Sequence, residues 1–299
     1  MKTFEKIALI VLLVVMIIPA VNAQEEKQSH KHRHGWQIND STGMKDFRCC
    51  MNDFDPENFP FCSHHSKFNG HWAGIELGIS GYTTPDFDMN FSPAHPYMNM
   101  NTARSFTVNI NPFDMNVNLC HNHFGFTSGL GLQISNYYFT GNYIMLKDSA
   151  ELVAYKVQDE DGKDVELDVN KMVITHITLP LLFEYQTNPY RKLNSFHVTL
   201  GVVAGLRIGS YTKQEYEDKS GKYFLVDETG RQVASYELDH RMVRDHGSYH
   251  LNPVKLDAAF RIGWSHVNLF STYSLIPMFQ KNQGPELYPF TIGITLLGW

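Results

Sequence analysis

The stretch Phe196-His197-Val198-Thr199-Leu200-Gly201-Val202-Val203-Ala204-Gly205-Leu206-Arg207-Ile208 decides the fold. Phe196, Val198, Leu200, Val202, Ala204, Leu206 and Ile208 share one parity; His197, Thr199, Gly201, Gly205 and Arg207 share the other. A strand sends successive side chains to opposite faces, so this segment predicts one bulky apolar wall and one small polar wall. It is also longer than the roughly 5–6 residues of an average globular strand. A soluble sandwich buries its bulky face and charges the other more heavily than this. A membrane barrel gives the bulky face to lipid and the small polar face to a narrow interior.

Seven further stretches obey the same rule: His71–Tyr82, Ser105–Leu119, Phe124–Ile134, Met172–Tyr185, Pro253–Trp264, Val267–Leu275 and Tyr288–Leu296. In Ser105–Leu119 the phase slips once at Pro112, which predicts a bulge there. Every charge within the strands (Glu76, Asp114, Glu184, Arg207, Lys255, Asp257, Arg261) lies on the small polar face. The connections alternate: long at Thr83–Ala103, Asn142–Asn170 and Thr212–Gly247, short at Cys120–His123, Asn188–Asn194 and Ser265–His266, then modest at Gln280–Glu286. Short turns on one side and long loops on the other are the habit of outer-membrane barrels. The long connections predict two hairpins, Val153–Val169 turning at Asp161-Gly162 and Tyr223–Leu238 turning at Glu228-Thr229-Gly230. The expected fold is all-β, an eight-stranded antiparallel up-and-down transmembrane β-barrel over residues 70–299, located in the outer membrane with both termini periplasmic.

Composition agrees once the pattern is known. The chain is 43% apolar and 19% charged, with 20 Phe, 15 Tyr and 4 Trp and a mean hydropathy of −0.28. These values exclude an all-helical membrane protein and a disordered chain. A net charge of −6 gives no basic excess for a phosphate backbone, so no nucleic-acid partner is expected.

The amino terminus differs in kind. Met1–Ala23, with Lys2 and Lys6 ahead of the apolar run Ile7–Ala20, predicts a cleaved secretory signal peptide. Residues 24–69 read as a polar periplasmic tail without alternation. The triplet His30, His32 and His34 could hold zinc or copper loosely, since imidazole suits both ions; no other cofactor is expected. Export to an oxidising compartment permits disulfides among Cys49, Cys50, Cys62 and Cys120, with three pairings open. One bond is expected to staple the tail to the barrel rim.

An eight-stranded barrel is just wide enough for side chains to fill. Glu76, Asp114, Glu184 and Asp257 against Arg207, Lys255 and Arg261 therefore predict a lumen charge network that pairs internally. Its near balance argues against an ion filter, which needs one dominant sign. His176, Glu184 and His197 share the lumen face, yet His176 and Glu184 are about 26 Å apart along a strand at about 3.3 Å per residue, too far for a direct dyad. The expectation is a non-enzymatic structural, interaction or secretion-associated component. Its expected partners are outer-membrane lipid and other cell-envelope or secretion proteins. The alternatives are a lipid-modifying enzyme and a small channel or porin.

The chain also resembles the PorT-like outer-membrane β-barrel proteins of Bacteroidetes-type bacteria. The carriers are Gly70-His71-Trp72-Ala73-Gly74-Ile75-Glu76-Leu77-Gly78, Gly129-Leu130-Gly131-Leu132, Leu179-Pro180-Leu181-Leu182-Phe183-Glu184-Tyr185, Gly205-Leu206-Arg207-Ile208-Gly209 and Gly284-Pro285-Glu286-Leu287-Tyr288-Pro289-Phe290 through Gly293. The resemblance implies a barrel and no single activity, a few such proteins assisting secretion. One departure stands out. Alternation from Ile292, Ile294 and Leu296 puts the terminal Trp299 on the lumen parity, where such barrels end on a lipid-facing aromatic; a kink at Gly298 would restore it.

Overall fold

The structure is a computed structural model that describes residues 68–89, 95–147, 149, 151–188, 195–216, 221–227, 229–238, 240–264 and 267–298. The signal segment Met1–Ala23, the histidines His30, His32 and His34, and Cys49, Cys50 and Cys62 lie outside the described residues. Among those described, no helix is long and apolar enough to cross a membrane; strands build the molecule.

Eight strands close into a ring: β1 (Gly74–Thr83), β2 (Phe106–Cys120), β3 (Phe124–Tyr138), β6 (Leu167–Gln186), β7 (Phe196–Tyr216), β11 (Val254–Trp264), β12 (Val267–Ser274) and β13 (Tyr288–Gly298). Each pairs antiparallel with the next, and β13 pairs back onto β1, so no edge is left in the ring. All eight alternating segments are strands of this ring. The turns β2–β3, β6–β7 and β11–β12 gather with Gly74 and Gly298 at one mouth, the turn end. The long connections gather at the other, the loop end.

The parity reading holds around the wall. Leu200, Leu206, Ile292 and Leu269 are exposed outward, while Thr107, Thr127, Thr199 and Thr291 are buried within. Aromatic side chains ring the wall at both heights. Phe124 stacks on Phe183 and Phe196 meets Trp264 near the turn end; Tyr273 stacks on Tyr288 near the loop end.

Bulges appear where the phase slips. In β2 the register jumps between Ile110 and Phe113, so Asn111 and Pro112 together oppose Gly131, as the sequence predicts. In β13 the register slips opposite Ile75/Glu76, and Leu296 and Leu297 are both exposed. The phase is therefore restored one step before Gly298. Counted on from Leu297, the outward parity falls at position 299, which lies outside the described residues.

Two long-loop expectations separate here. β8 (Gly221–Val226) and β9 (Gln232–Leu238) form the anticipated hairpin. Val153–Val169 is a hairpin only at its tip, where Gln158 bridges Asp164 antiparallel and the Val165 amide donates to the Val157 carbonyl; β5 (Val153–Gln158) otherwise pairs with β4 (Tyr143–Leu146) and β8, and Leu167 onward belongs to β6. The turn at Gly162 exists, with φ 74°, but β6 and β7 continue past the ring and claim the residues after it. β10 (Met242–His246) adds to that extension of β7. The sheet β4-β5-β8-β9 packs on it through Val157, Tyr216, Tyr223 and Leu225.

Candidate functional site

Among the described residues, polar chemistry within the membrane strands concentrates in the lumen, and the chain closes it at both ends. At the turn end the residues before β1 turn inward instead of extending it. Phe68 is 4% exposed and lies against Gly125, where a Cβ would stand 2.5 Å from its ring. Asn69 accepts a hydrogen bond through its carbonyl from Gln186 Nε2 at 2.6 Å. His71 stacks on His197 with centroids 3.7 Å apart, and Trp72 lies under the Arg261 guanidinium at 4.6 Å. Trp72 packs with Leu182, Val203 and Ala259 in the lumen centre. The expected strand His71–Tyr82 thus begins at Gly74, and His71 and Trp72 are a plug.

At the loop end an apolar cluster caps the ring. Tyr82, Met98, Met172, Tyr249, Leu251 and Phe279 are its most buried members. Tyr82 Oη donates to the Met98 carbonyl at 2.6 Å, and Tyr249 Oη donates to the Asp245 carbonyl at 2.9 Å.

Between plug and cap sit the seven expected charges. Glu76, 0% exposed, receives Arg261 Nη2 at 2.6 Å, Asn109 Nδ2 at 2.9 Å and Thr295 Oγ1 at 3.3 Å. Lys255 Nζ bonds Asp257 at 2.9 Å and Gln133 Oε1 at 2.7 Å; Gln133 Nε2 then donates to Asn109. Those four charges form the network that parity predicts.

The other three do not join it. Glu184 is held by the plug: His71 Nδ1 at 2.5 Å, the His71 amide at 3.0 Å, Gln186 Nε2 at 3.0 Å and Thr199 Oγ1 at 3.2 Å. Asp114 accepts from the Ala73 amide at 3.3 Å and Asn116 Nδ2 at 2.9 Å. Arg207 donates to Ser210 Oγ at 2.9 Å and the Leu251 carbonyl at 3.2 Å. No ion pair joins Arg207 to a carboxylate among the described residues. The expectation of one internally paired network is corrected: the plug brings its own groups to two acids, and one cation is left at the loop end.

Of the three residues weighed for catalysis, Glu184 and His197 meet only through His71, and His176 lies in the loop half beside Arg207. The sequence reading missed His71 as a partner because it counted that residue into the first strand. The signal was available in Gly70-His71-Trp72: a bulky Trp on the small polar parity. Among the described residues no group of three or more His, Cys, Asp or Glu could hold a metal ion. Cys120, at the first turn, is disulfide-bonded; the other three cysteines, and with them the expected staple, lie outside the described residues.

No curated protein and no solved structure matches the chain. A family model described as outer membrane protein beta-barrel domain matches residues 64–280, from just before the plug to just short of β13. With the closed ring, the outward apolar wall and the aromatic belts, the chain belongs to the outer membrane protein beta-barrel domain family.

Proposed function

We propose that this outer-membrane protein is a closed, non-enzymatic scaffold of the PorT-like kind, secretion-associated or structural, that works through its projecting loop-end sheet. The observation that carries this is closure at both mouths by the chain itself, plug below and apolar cap above. A diffusion channel needs a continuous polar path, and the Tyr82–Phe279 cap interrupts it. An enzyme of lipid would set its nucleophile and base at the outer rim, whereas His71, His197 and Glu184 are inside the barrel and engaged by the plug. The signal segment and polar tail, together with a disulfide at Cys120, support a periplasmic turn end and outward-facing loops. In that orientation β9 and β10 stand above the membrane, with Val233 and Met242 exposed, where another envelope protein could dock.

Crosslinking from intact outer membranes followed by pulldown tests this. A partner crosslinked through residues of β9 or β10 supports it. Stable single-channel conductance in planar bilayers, or altered lipid A acylation on deletion of the gene, refutes it in favour of a porin or an enzyme.

A further inference from the structure

A cavity of about 30 Å³ lies in the loop half of the lumen, under the cap. Its polar lining is Arg207, Lys255, His176, Tyr137, Asn252 and Ser274, and no carboxylate lines it. β6, β7 and β11 build it: His176 pairs with Arg207 in register, and Lys255 lies opposite Gly205. Gly205 carries no side chain into the gap between them; a Cβ there would lie 3.4 Å from Lys255 Cβ and 3.7 Å from His176 Cβ.

Two of the lining groups keep unused polar atoms. Arg207 Nε is buried without an acceptor, and Nδ1 of His176, a residue 7% exposed, is buried without a hydrogen-bond partner. Asn252 and Ser274 are committed, donating to Pro277 and Phe279 carbonyls and to the Ile276 carbonyl. Lys255 is offset by Asp257. The Arg207 guanidinium has only neutral acceptors, so the site carries one uncompensated positive charge. Buried polar groups are nearly always satisfied; Arg207 as a whole is half-buried, but its enclosed Nε–H faces the cavity with no acceptor. The volume admits only a few atoms, at roughly 10–15 Å³ per water-sized particle. That excludes nucleotides and whole lipid headgroups.

We propose that this cavity binds one small monovalent anion, a halide or a carboxylate group, held by Arg207 Nε–H with Lys255 and His176 around it. Chloride and the carboxylate of a larger molecule share this chemistry.

The test uses the mature full chain, refolded in detergent. Its Tm is followed against sodium bromide, formate or acetate, each balanced with gluconate at constant ionic strength, and crystals grown in bromide are examined for anomalous scattering. The expected result is a saturable Tm rise of a few degrees and a bromide peak beside Arg207 Nε. In Arg207→Gln the half-saturating concentration should rise by about tenfold or more, the loss of one charge-assisted hydrogen bond. Arg207→Lys, which keeps the charge but moves the donor, should fall between; it also serves if the glutamine variant does not fold. A response to bromide alone identifies a free inorganic ion, and a response to formate and acetate as well identifies a carboxylate; either supports the site. Equal salt responses in wild type and variants, or a bromide peak without saturable stabilisation, overturn it in favour of a cavity that holds water.

Discussion

Replacing Arg261 by Met isolates the buried pair that joins β11 to β1 across the lumen. Glu76 is fully enclosed and accepts from Arg261, Asn109 and Thr295. Methionine fills much of the arginine's volume but leaves the carboxylate with two neutral donors and no cation. Removing one member of a buried pair costs about 3–5 kcal/mol, because the survivor is desolvated and uncompensated. Arg261 also donates to the His71 carbonyl at 3.1 Å and covers the Trp72 ring, so plug anchoring goes with it. Arg261→Met should therefore lose at least about 3 kcal/mol, a large part of the usual 5–15 kcal/mol. Adding Glu76→Gln removes the stranded charge, and the double variant should recover to within about 2 kcal/mol of wild type. Urea unfolding in micelles measures both, with Trp72 fluorescence reporting the plug and unheated gel mobility reporting the barrel. The reasoning fails if Arg261→Met unfolds within about 1 kcal/mol of wild type, or if the double variant is no more stable than the single one.

Phe68→Ala removes a buried ring and should cost about 3 kcal/mol; Gly125→Ala, which crowds the same ring, should destabilise in the same assay. Leu200→Lys puts a charge on the outward wall and should cost about 2 kcal/mol in bilayers, less if the residue lies near an interface, as refolding yield into vesicles would reveal. Cys120→Ser should lower stability by about 2–4 kcal/mol, measured by urea unfolding, and reducing agent should then have no further effect at this site. Above the barrel, burial pushes the phenols of Tyr236 and Tyr249 up to about 12. Their folded values exceed the unfolded value near 10. The stability they contribute is complete below that pH and lost as pH rises from about 10 toward 12; absorbance of phenolate at 295 nm should lose late-titrating amplitude in Tyr236→Phe and Tyr249→Phe, and in the wild type that amplitude should rise together with unfolding.

Parity made the wall legible because lipid and lumen demand opposite side chains at every second residue. It failed where that demand stops. β6 and β7 run on past the ring to Leu167 and Tyr216, and the register slips between Thr175 and His176 against Ile208. Beyond that slip the ladder faces a second sheet instead of lipid, so Tyr211, Lys213 and Glu215 no longer alternate bulky with small. The Val153–Val169 hairpin stops at its tip for a related reason: the turn at Gly162 and the Gln158–Asp164 bridge are local, but the rest of β5 pairs with β4 and β8. The plug was hidden differently. His71 and Trp72 fit a strand by period, and only the lumen's need for filling turns them inward.

The charges mark the limit of parity most clearly. Period two assigns all seven to one lumen, but pairing depends on height along the axis and on which walls face each other, and tilt and stagger set those. Lys255 and Asp257 were readable as a pair, being two residues apart on one face. Glu76 and Arg261 were not, since β12 and β13 stand between their strands. Summed over the lumen, four acids and three bases look nearly neutral. Resolved by height, Glu76, Asp114, Glu184 and Arg261 occupy the turn half, with Asp257, Lys255 and Arg207 toward the loops. The excess of acid lies where the plug supplies His71 and backbone amides, and the excess of base lies under the cap at the cavity. Near-neutrality in the sequence therefore conceals an axially polarised interior: one end is satisfied by the chain itself, and the other leaves a half-buried guanidinium paired only with neutral acceptors, open to a counter-charge from outside the barrel's own strands.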